Sequence, residues 1–95
     1  MFLSAYHFDG PPAELLPAYR RLRTGIPPDS VELHACITRE GGITVYDACP
    51  SRAVFEEFSE SAGFRAAVAA AGLPALRVEP VGEVHAALCG QGLGR

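Results

Sequence analysis

Residues 31–49 constrain the fold more than any other stretch, because apolar and polar residues alternate there up to a glycine pair. A period of two is typical of a β-strand that turns one face toward a core. Gly41 and Gly42 then separate this strand from a second one that ends at Cys49, and Glu40-Gly41 or Gly41-Gly42 would serve as a two-residue turn. The pattern therefore predicts an antiparallel hairpin. Its apolar positions are Val31, Leu33, Ala35 and Ile37, and its polar ones are Glu32, His34, Cys36 and Thr38.

Both turns place His34, Cys36, Asp47 and Cys49 on one face of the hairpin. The reason is that, in both registers, each even-numbered residue of the first strand lies opposite an odd-numbered residue of the second. With the first turn His34 lies opposite Asp47, and with the second it lies opposite Cys49. Opposed Cβ atoms are about 4.5–5.5 Å apart, which is within reach of a His–Asp hydrogen bond. Such a bond fixes the imidazole tautomer and suits a general base, so His34 and Asp47 are the candidate catalytic residues.

Two other interpretations of the same four residues stay open. His34 and Asp47 could simply satisfy each other on a buried or interfacial sheet face. The imidazole, the carboxylate and the two thiols could also bind zinc, although H-x-C…D-x-C is not a standard ligand spacing. We expect no metal and no cofactor, with the cysteines packed as small apolar groups.

The rest of the chain predicts the order β-α-β-β-α-β. The first strand covers Phe2–Phe8, the first helix Ala13–Arg23 and the last extended segment Leu76–Leu88. The second helix contains Phe55, Phe58 and Phe64 at helical spacing and is interrupted at Gly63. This order is the split βαβ pattern of a ferredoxin-like α+β sandwich with a four-stranded antiparallel sheet. We expect one domain over 1–89 and a flexible tail over 90–95.

The direction of the polar hairpin face decides what its residues can do. The uniformly apolar opposite face of the first hairpin strand favours packing against the helices. That arrangement would turn His34 and Asp47 away from the helices and toward a partner subunit. The reverse orientation stays open, because Ile43 and Val45 are apolar and share the polar face.

Composition and charge exclude several classes of protein. The chain has 95 residues, a net charge of −3 and no basic cluster larger than Arg20-Arg21-Arg23, which argues against nucleic-acid binding. No apolar run approaches the 18 or so residues of a membrane span. The N-terminus lacks the pattern of a signal peptide, and three cysteines without a CxxC motif fit a reducing compartment. We therefore expect a cytoplasmic protein without a membrane or nucleic-acid partner.

Three phrases of the chain resemble the dimeric α/β-barrel superfamily, which includes the antibiotic-biosynthesis-monooxygenase-like proteins. They are Tyr6-His7-Phe8-Asp9-Gly10, the hairpin up to Pro50-Ser51, and Phe55 to Phe64 with the A-G-L-P that follows. The resemblance implies that two subunits pack sheet against sheet and that small, often aromatic ligands bind between sheet and helices. Some members oxidise such ligands without a cofactor, some degrade haem, and some have no known reaction.

This chain departs from the family pattern at two points. It has no tryptophan, whereas monooxygenase-type members often carry one on the second helix. Its histidines, His7, His34 and His85, all fall on predicted strands, so the helical iron ligand of haem-degrading members is missing. Haem degradation is therefore disfavoured.

The expected function combines the hairpin with this resemblance. We expect a homodimeric, small-molecule-binding α/β-barrel protein that acts as a cofactor-independent monooxygenase or cyclase on an aromatic or polyketide-like substrate. The alternative is a non-catalytic ligand-binding or dimerisation module. The expected ligand pocket is lined by His7, Tyr46, Phe55, Phe58 and Phe64.

Overall fold

The computed structural model describes residues 1–27 and 32–88, which form four strands and three helices. The predicted tail, Cys89 and part of the loop before the hairpin lie outside the described residues. The elements are β1 (Phe2–Asp9), α1 (Pro12–Thr24), β2 (Leu33–Arg39), β3 (Gly42–Cys49), α2 (Arg52–Glu60), α3 (Ala62–Ala70) and β4 (Leu76–Glu83).

The four strands form one antiparallel sheet in the order β2-β3-β1-β4. Side chains from all three helices pack into one core with the same face of β1 and β3. The predicted α+β class and four-stranded antiparallel sheet are confirmed, and the arrangement is compatible with a ferredoxin-like fold. The core contains Phe2, Tyr6, Phe8, Ile43 and Val45 from the sheet, with Leu15, Ala18, Tyr19, Phe55 and Val68 from the helices.

The hairpin adopts the first of the two predicted registers. Arg39 pairs with Gly42 and His34 pairs with Asp47, so the turn is Glu40-Gly41. Gly41 has φ +83°, a conformation that favours glycine. Gly42 lies so close to β1 that a Cβ there would overlap the carbonyl oxygen of Phe8. The two glycines therefore fix both the turn and its approach to the central strand.

The favoured orientation of the hairpin is wrong. His34 and Asp47 face the helices, and Ile37 on the opposite face is 42% exposed. The physical reason is the position of β3, a central strand whose Ile43 and Val45 are 0% and 5% exposed. Burying these two residues against the helices places Asp47, and His34 opposite it, on the same side, because every second residue of a strand shares a face.

The second helical segment is broken, as predicted, but at Ser61 and not at Gly63. Ser61 has φ −66° and ψ 140°, so the backbone leaves the helical conformation there. Its hydroxyl donates to the carbonyl of Phe58 and accepts from the backbone N–H of Phe64. One side chain therefore caps the end of α2 and the start of α3.

Among the helices of the described residues, none has both the length and the apolar character that crossing a membrane would need.

Candidate functional site

The hairpin register brings His34 and Asp47 into contact across the β2–β3 pair. His34 Nδ1 lies 2.6 Å from Asp47 Oδ1, and the two side chains are 15% and 12% exposed. An ionised carboxylate only accepts hydrogen bonds, so the neutral imidazole carries its proton on Nδ1 and donates it to Asp47. The other ring nitrogen, Nε2, then has no proton and can accept a hydrogen bond. The predicted His–Asp hydrogen bond is therefore present in the structure.

Tyr19 of α1 completes a chain of three side chains. Its hydroxyl lies 2.6 Å from His34 Nε2, and the two rings are nearly parallel, with an angle of 14° between them. Because Nε2 has no proton in this tautomer, the Tyr19 hydroxyl donates to it. Burial raises the pKa of the Tyr19 phenol above its ordinary value, so the phenol is neutral near neutral pH.

The three residues border a small cavity between the sheet and the helices. Its volume is about 20 Å³, close to the space that one water molecule needs. Almost all of the surface that faces the cavity is apolar, because the polar atoms of Tyr19, His34 and Asp47 bond to one another behind it. The lining residues are Tyr6, Phe8, Tyr19, Leu22, Ile26, His34, Val45, Asp47, Phe58 and Phe64.

Three aromatic rings form the wall on the side of α2 and α3. Phe58 and Phe64 lie on either side of the helix break with ring centroids 4.4 Å apart, and both contact Tyr6 edge-on. Phe58 is 40% exposed. Because its outer side meets solvent, Phe58 loses less packing than a buried ring if it rotates to admit a ligand larger than water.

Only part of the predicted pocket lies at this cavity. Phe58 and Phe64 line it, but Phe55 packs against Phe2, with ring centroids 5.3 Å apart. His7 and Tyr46 lie on the other face of the sheet, since they alternate with Tyr6 and Val45, which line the cavity. Phe55, His7 and Tyr46 therefore lie away from this cavity.

His7 belongs to a polar network that crosses all four strands on the open face of the sheet. Arg39 Nε donates to the hydroxyl of Thr44, which lies 2.9 Å from His7 Nδ1. His7 Nε2 lies 2.8 Å from Glu79 Oε1. Asp9 adds contacts to Arg39 and Arg77, and these two arginines hold the pKa of its carboxyl below the ordinary value. The His7 side chain is fully engaged in this network, which is consistent with a structural role.

The cysteines of the hairpin do not assemble with His34 and Asp47 into a metal site. Cys36 lies opposite Val45 in the middle of β3. Cys49 is the last residue of β3, and its thiol donates to the carbonyl of Ser51. Burial raises the pKa of both thiols. Within residues 1–27 and 32–88, no group of three or more histidine, cysteine or acidic side chains could hold a metal ion.

Comparisons with known proteins name no relative. A scan against protein-family models found no match, and neither did searches of curated proteins and of solved structures. A function for this chain therefore has to be inferred from the geometry of the site.

Sequence reasoning missed the pairing of Tyr19 with His34. Tyr19 falls in the apolar stripe of α1 together with Leu15 and Leu22, which is the signature of a core residue. A hydroxyl within such a stripe signals a buried polar partner, because a buried phenol needs a hydrogen bond. The partner could not be named, since the favoured orientation of the hairpin turned His34 away from α1.

Proposed function

We propose that this chain binds a small aromatic or polyketide-like molecule at the cavity and removes a proton from it, as a cofactor-independent monooxygenase or cyclase would. The observation that carries this proposal is the Asp47–His34 pair on the wall of an otherwise apolar cavity. Asp47 holds the imidazole in the tautomer with an unprotonated Nε2. Removal of a proton from the ligand would leave Nε2 protonated, and the resulting imidazolium would be paired with the Asp47 carboxylate.

The chemistry of the cavity wall defines the class of ligand. Phe58, Phe64 and Tyr6 offer ring faces and edges, which suit a planar apolar molecule. The Asp47 carboxylate beside the cavity disfavours a ligand that is already an anion. The fitting substrate is therefore a neutral ring with an acidic hydroxyl or enol, which becomes an anion only when its proton leaves.

We also propose that two copies of the chain pack through the open face of the sheet and form the barrel that the sequence resemblance implies. The helices cover only the opposite face. Leu3, Leu33, Ala35 and Ile37 lie on the open face, and a domain of this size gains stability when it buries such residues. A cytoplasmic location fits the free thiols of Cys36 and Cys49.

The second candidate is a non-catalytic binding or dimerisation module. The cavity volume of about 20 Å³ favours it, since the resting structure has space for little more than a water molecule. In that case Asp47, His34 and Tyr19 would only satisfy one another within the core.

Absorbance of 4-nitrophenol distinguishes the two candidates, because the ionised form of this phenol is yellow and the neutral form is not. We expect wild-type protein to bind the probe and to increase its ionised fraction. The variant His34→Gln removes the proton acceptor, so the ionisation constant of the bound probe should fall at least about tenfold, or one pKa unit.

His85→Gln is the matched control, since His85 is an exposed histidine beyond β4 and should leave the probe unchanged. Binding without a change in ionisation would favour the non-catalytic module. A probe that does not bind, or that ionises equally with wild-type protein and His34→Gln, would refute proton removal at this site.

A further inference from the structure

We propose that Tyr19, and not His34, is the group that receives the ligand's proton, and that Tyr19 passes its own hydroxyl proton to His34 in the same step. This inference rests on the proposed function and deepens it. It makes Tyr19 a catalytic residue and makes His34, with Asp47 behind it, the acceptor in which the proton finally resides.

The directions of the hydrogen bonds carry the proposal. Asp47 takes the proton of Nδ1, so the basic atom of His34 is Nε2. The Tyr19 hydroxyl is 2.6 Å from this atom and donates to it. A ring nitrogen has a single in-plane lone pair, and here Tyr19 already occupies it. A ligand proton therefore cannot bind Nε2 directly while Tyr19 stays in place.

The Tyr19 oxygen can do what the His34 nitrogen cannot. An oxygen that donates its proton still has two lone pairs with which to accept another. Tyr19 lines the cavity, and the cavity volume of about 20 Å³ is enough for a group of the size of a hydroxyl. The resting cavity exposes almost no polar surface, so the wall has to move before a ligand hydroxyl reaches Tyr19 Oη. That hydroxyl can then donate to Tyr19 while Tyr19 donates to His34.

The proton transfer balances without any further reactant. The ligand O–H bond breaks, its electron pair stays on the ligand oxygen, and its proton forms a bond with Tyr19 Oη. The original O–H bond of Tyr19 breaks at the same time, and that proton binds His34 Nε2. The products are a ligand oxyanion, a neutral Tyr19 and an imidazolium held by the Asp47 carboxylate. Tyr19 ends as it began, as a phenol.

The variant Tyr19→Phe tests the relay, because it removes one oxygen atom and keeps the ring. We expect it to bind 4-nitrophenol through the unchanged aromatic wall. The ionisation constant of the bound probe should fall about tenfold or more, because the variant lacks the hydroxyl that accepts the probe's proton and links the probe to His34. Tyr46→Phe is the matched control, since Tyr46 lies on the opposite face of the sheet and its loss of a hydroxyl should leave the probe unchanged.

The outcomes separate this inference from the proposed function. If the ionisation constant of the bound probe falls with His34→Gln but not with Tyr19→Phe, the relay is overturned and the proposed function stands. Equal ionisation in all proteins, or no binding by wild-type protein, would overturn both. A lower ionisation constant of the bound probe with both variants supports the relay.

Nuclear Overhauser contacts in the wild-type complex give a second test that does not depend on the folding of Tyr19→Phe. The relay places the ring edge that bears the probe's hydroxyl nearest to the Tyr19 ring protons. A closer approach of that edge to His34 Hε1 than to Tyr19 would overturn the proposal.

Discussion

Tyr6 and Tyr19 are two buried phenols with different surroundings. Burial raises the pKa of Tyr6 to about 12, and burial also raises the pKa of Tyr19. Tyr19 donates to an imidazole nitrogen, whereas Tyr6 lies among the rings of Phe58 and Phe64. Tyr19 therefore has a base to which its proton can pass. For Tyr6, the main effect of burial is to couple folding to alkaline pH.

We expect Tyr6 to make the protein less stable as the pH rises above 10. Between pH 10 and about 12 the unfolded chain releases the Tyr6 proton while the folded chain retains it. Stability therefore falls as the pH rises, and the contribution of Tyr6 is complete below its unfolded pKa. The full loss amounts to about 3 kcal/mol in the free energy of unfolding, since each pKa unit corresponds to about 1.4 kcal/mol.

Urea denaturation of wild-type protein and Tyr6→Phe over this pH range measures the effect. Tyr19, Cys36 and Cys49 also have raised pKa values, so both proteins should lose stability, but the variant should lose less. Parallel curves for the two proteins would show that Tyr6 does not resist ionisation in the folded state.

At the level of elements, the joint between α2 and α3 sets the position of the aromatic wall. Phe58 precedes Ser61 by one helical turn and Phe64 follows it by another, and their rings meet. The hydroxyl of Ser61 bonds to the backbone of both phenylalanines. The bend that brings the two rings together over Tyr6 is therefore stabilised by Ser61, together with Arg65 of α3, whose Nε donates to the carbonyl of Ser59 in α2.

We expect Ser61→Ala to destabilise the protein by about 1–2 kcal/mol, because it removes a cap from each of two helices. Ser51→Ala is the matched control, since the hydroxyl of Ser51 caps one helix, by accepting from the backbone N–H of Val54 at the start of α2. Thermal unfolding should show a larger fall in Tm for Ser61→Ala than for Ser51→Ala. Equal falls would mean that the bond from Ser61 to the Phe58 carbonyl contributes no stability.

At the level of the whole molecule, the two faces of the sheet have separate roles. One face holds the core and the cavity, and the other carries the polar network of His7 beside apolar side chains. A standard interface buries about 800 Å² on each partner. The proposed homodimer would cover the open face and leave the cavity, on the other side of the sheet, accessible.

We expect Ile37→Arg to convert the proposed dimer into a monomer, because it would bury a charge without a partner at the interface. Val54→Arg is the matched control, since Val54 is 44% exposed on α2 and Ile37 is 42% exposed on the open face. Sedimentation velocity at micromolar concentration checks the result. A monomeric wild-type protein, or a dimer that persists with Ile37→Arg, would contradict packing through this face.

The sequence by itself determined the local geometry of the hairpin. The alternation in β2 and the two glycines restricted the pairing to two registers, and one of them is observed. His34 and Asp47 share a face in both registers, because the side-chain period of a strand is two. The order of elements and the existence of a helix break also followed from local patterns, although the break lies two residues before Gly63.

Only the tertiary structure decided which face of the hairpin meets the helices. β2 is an edge strand and β3 is central, so Ile43 and Val45 outweigh the apolar stripe of β2 in the competition for the core. The position of a strand in the sheet depends on pairings with β1 that are distant in sequence. For the same reason the contact between Tyr19 and His34 could not be read from the chain, since α1 reaches His34 only after the sheet has formed.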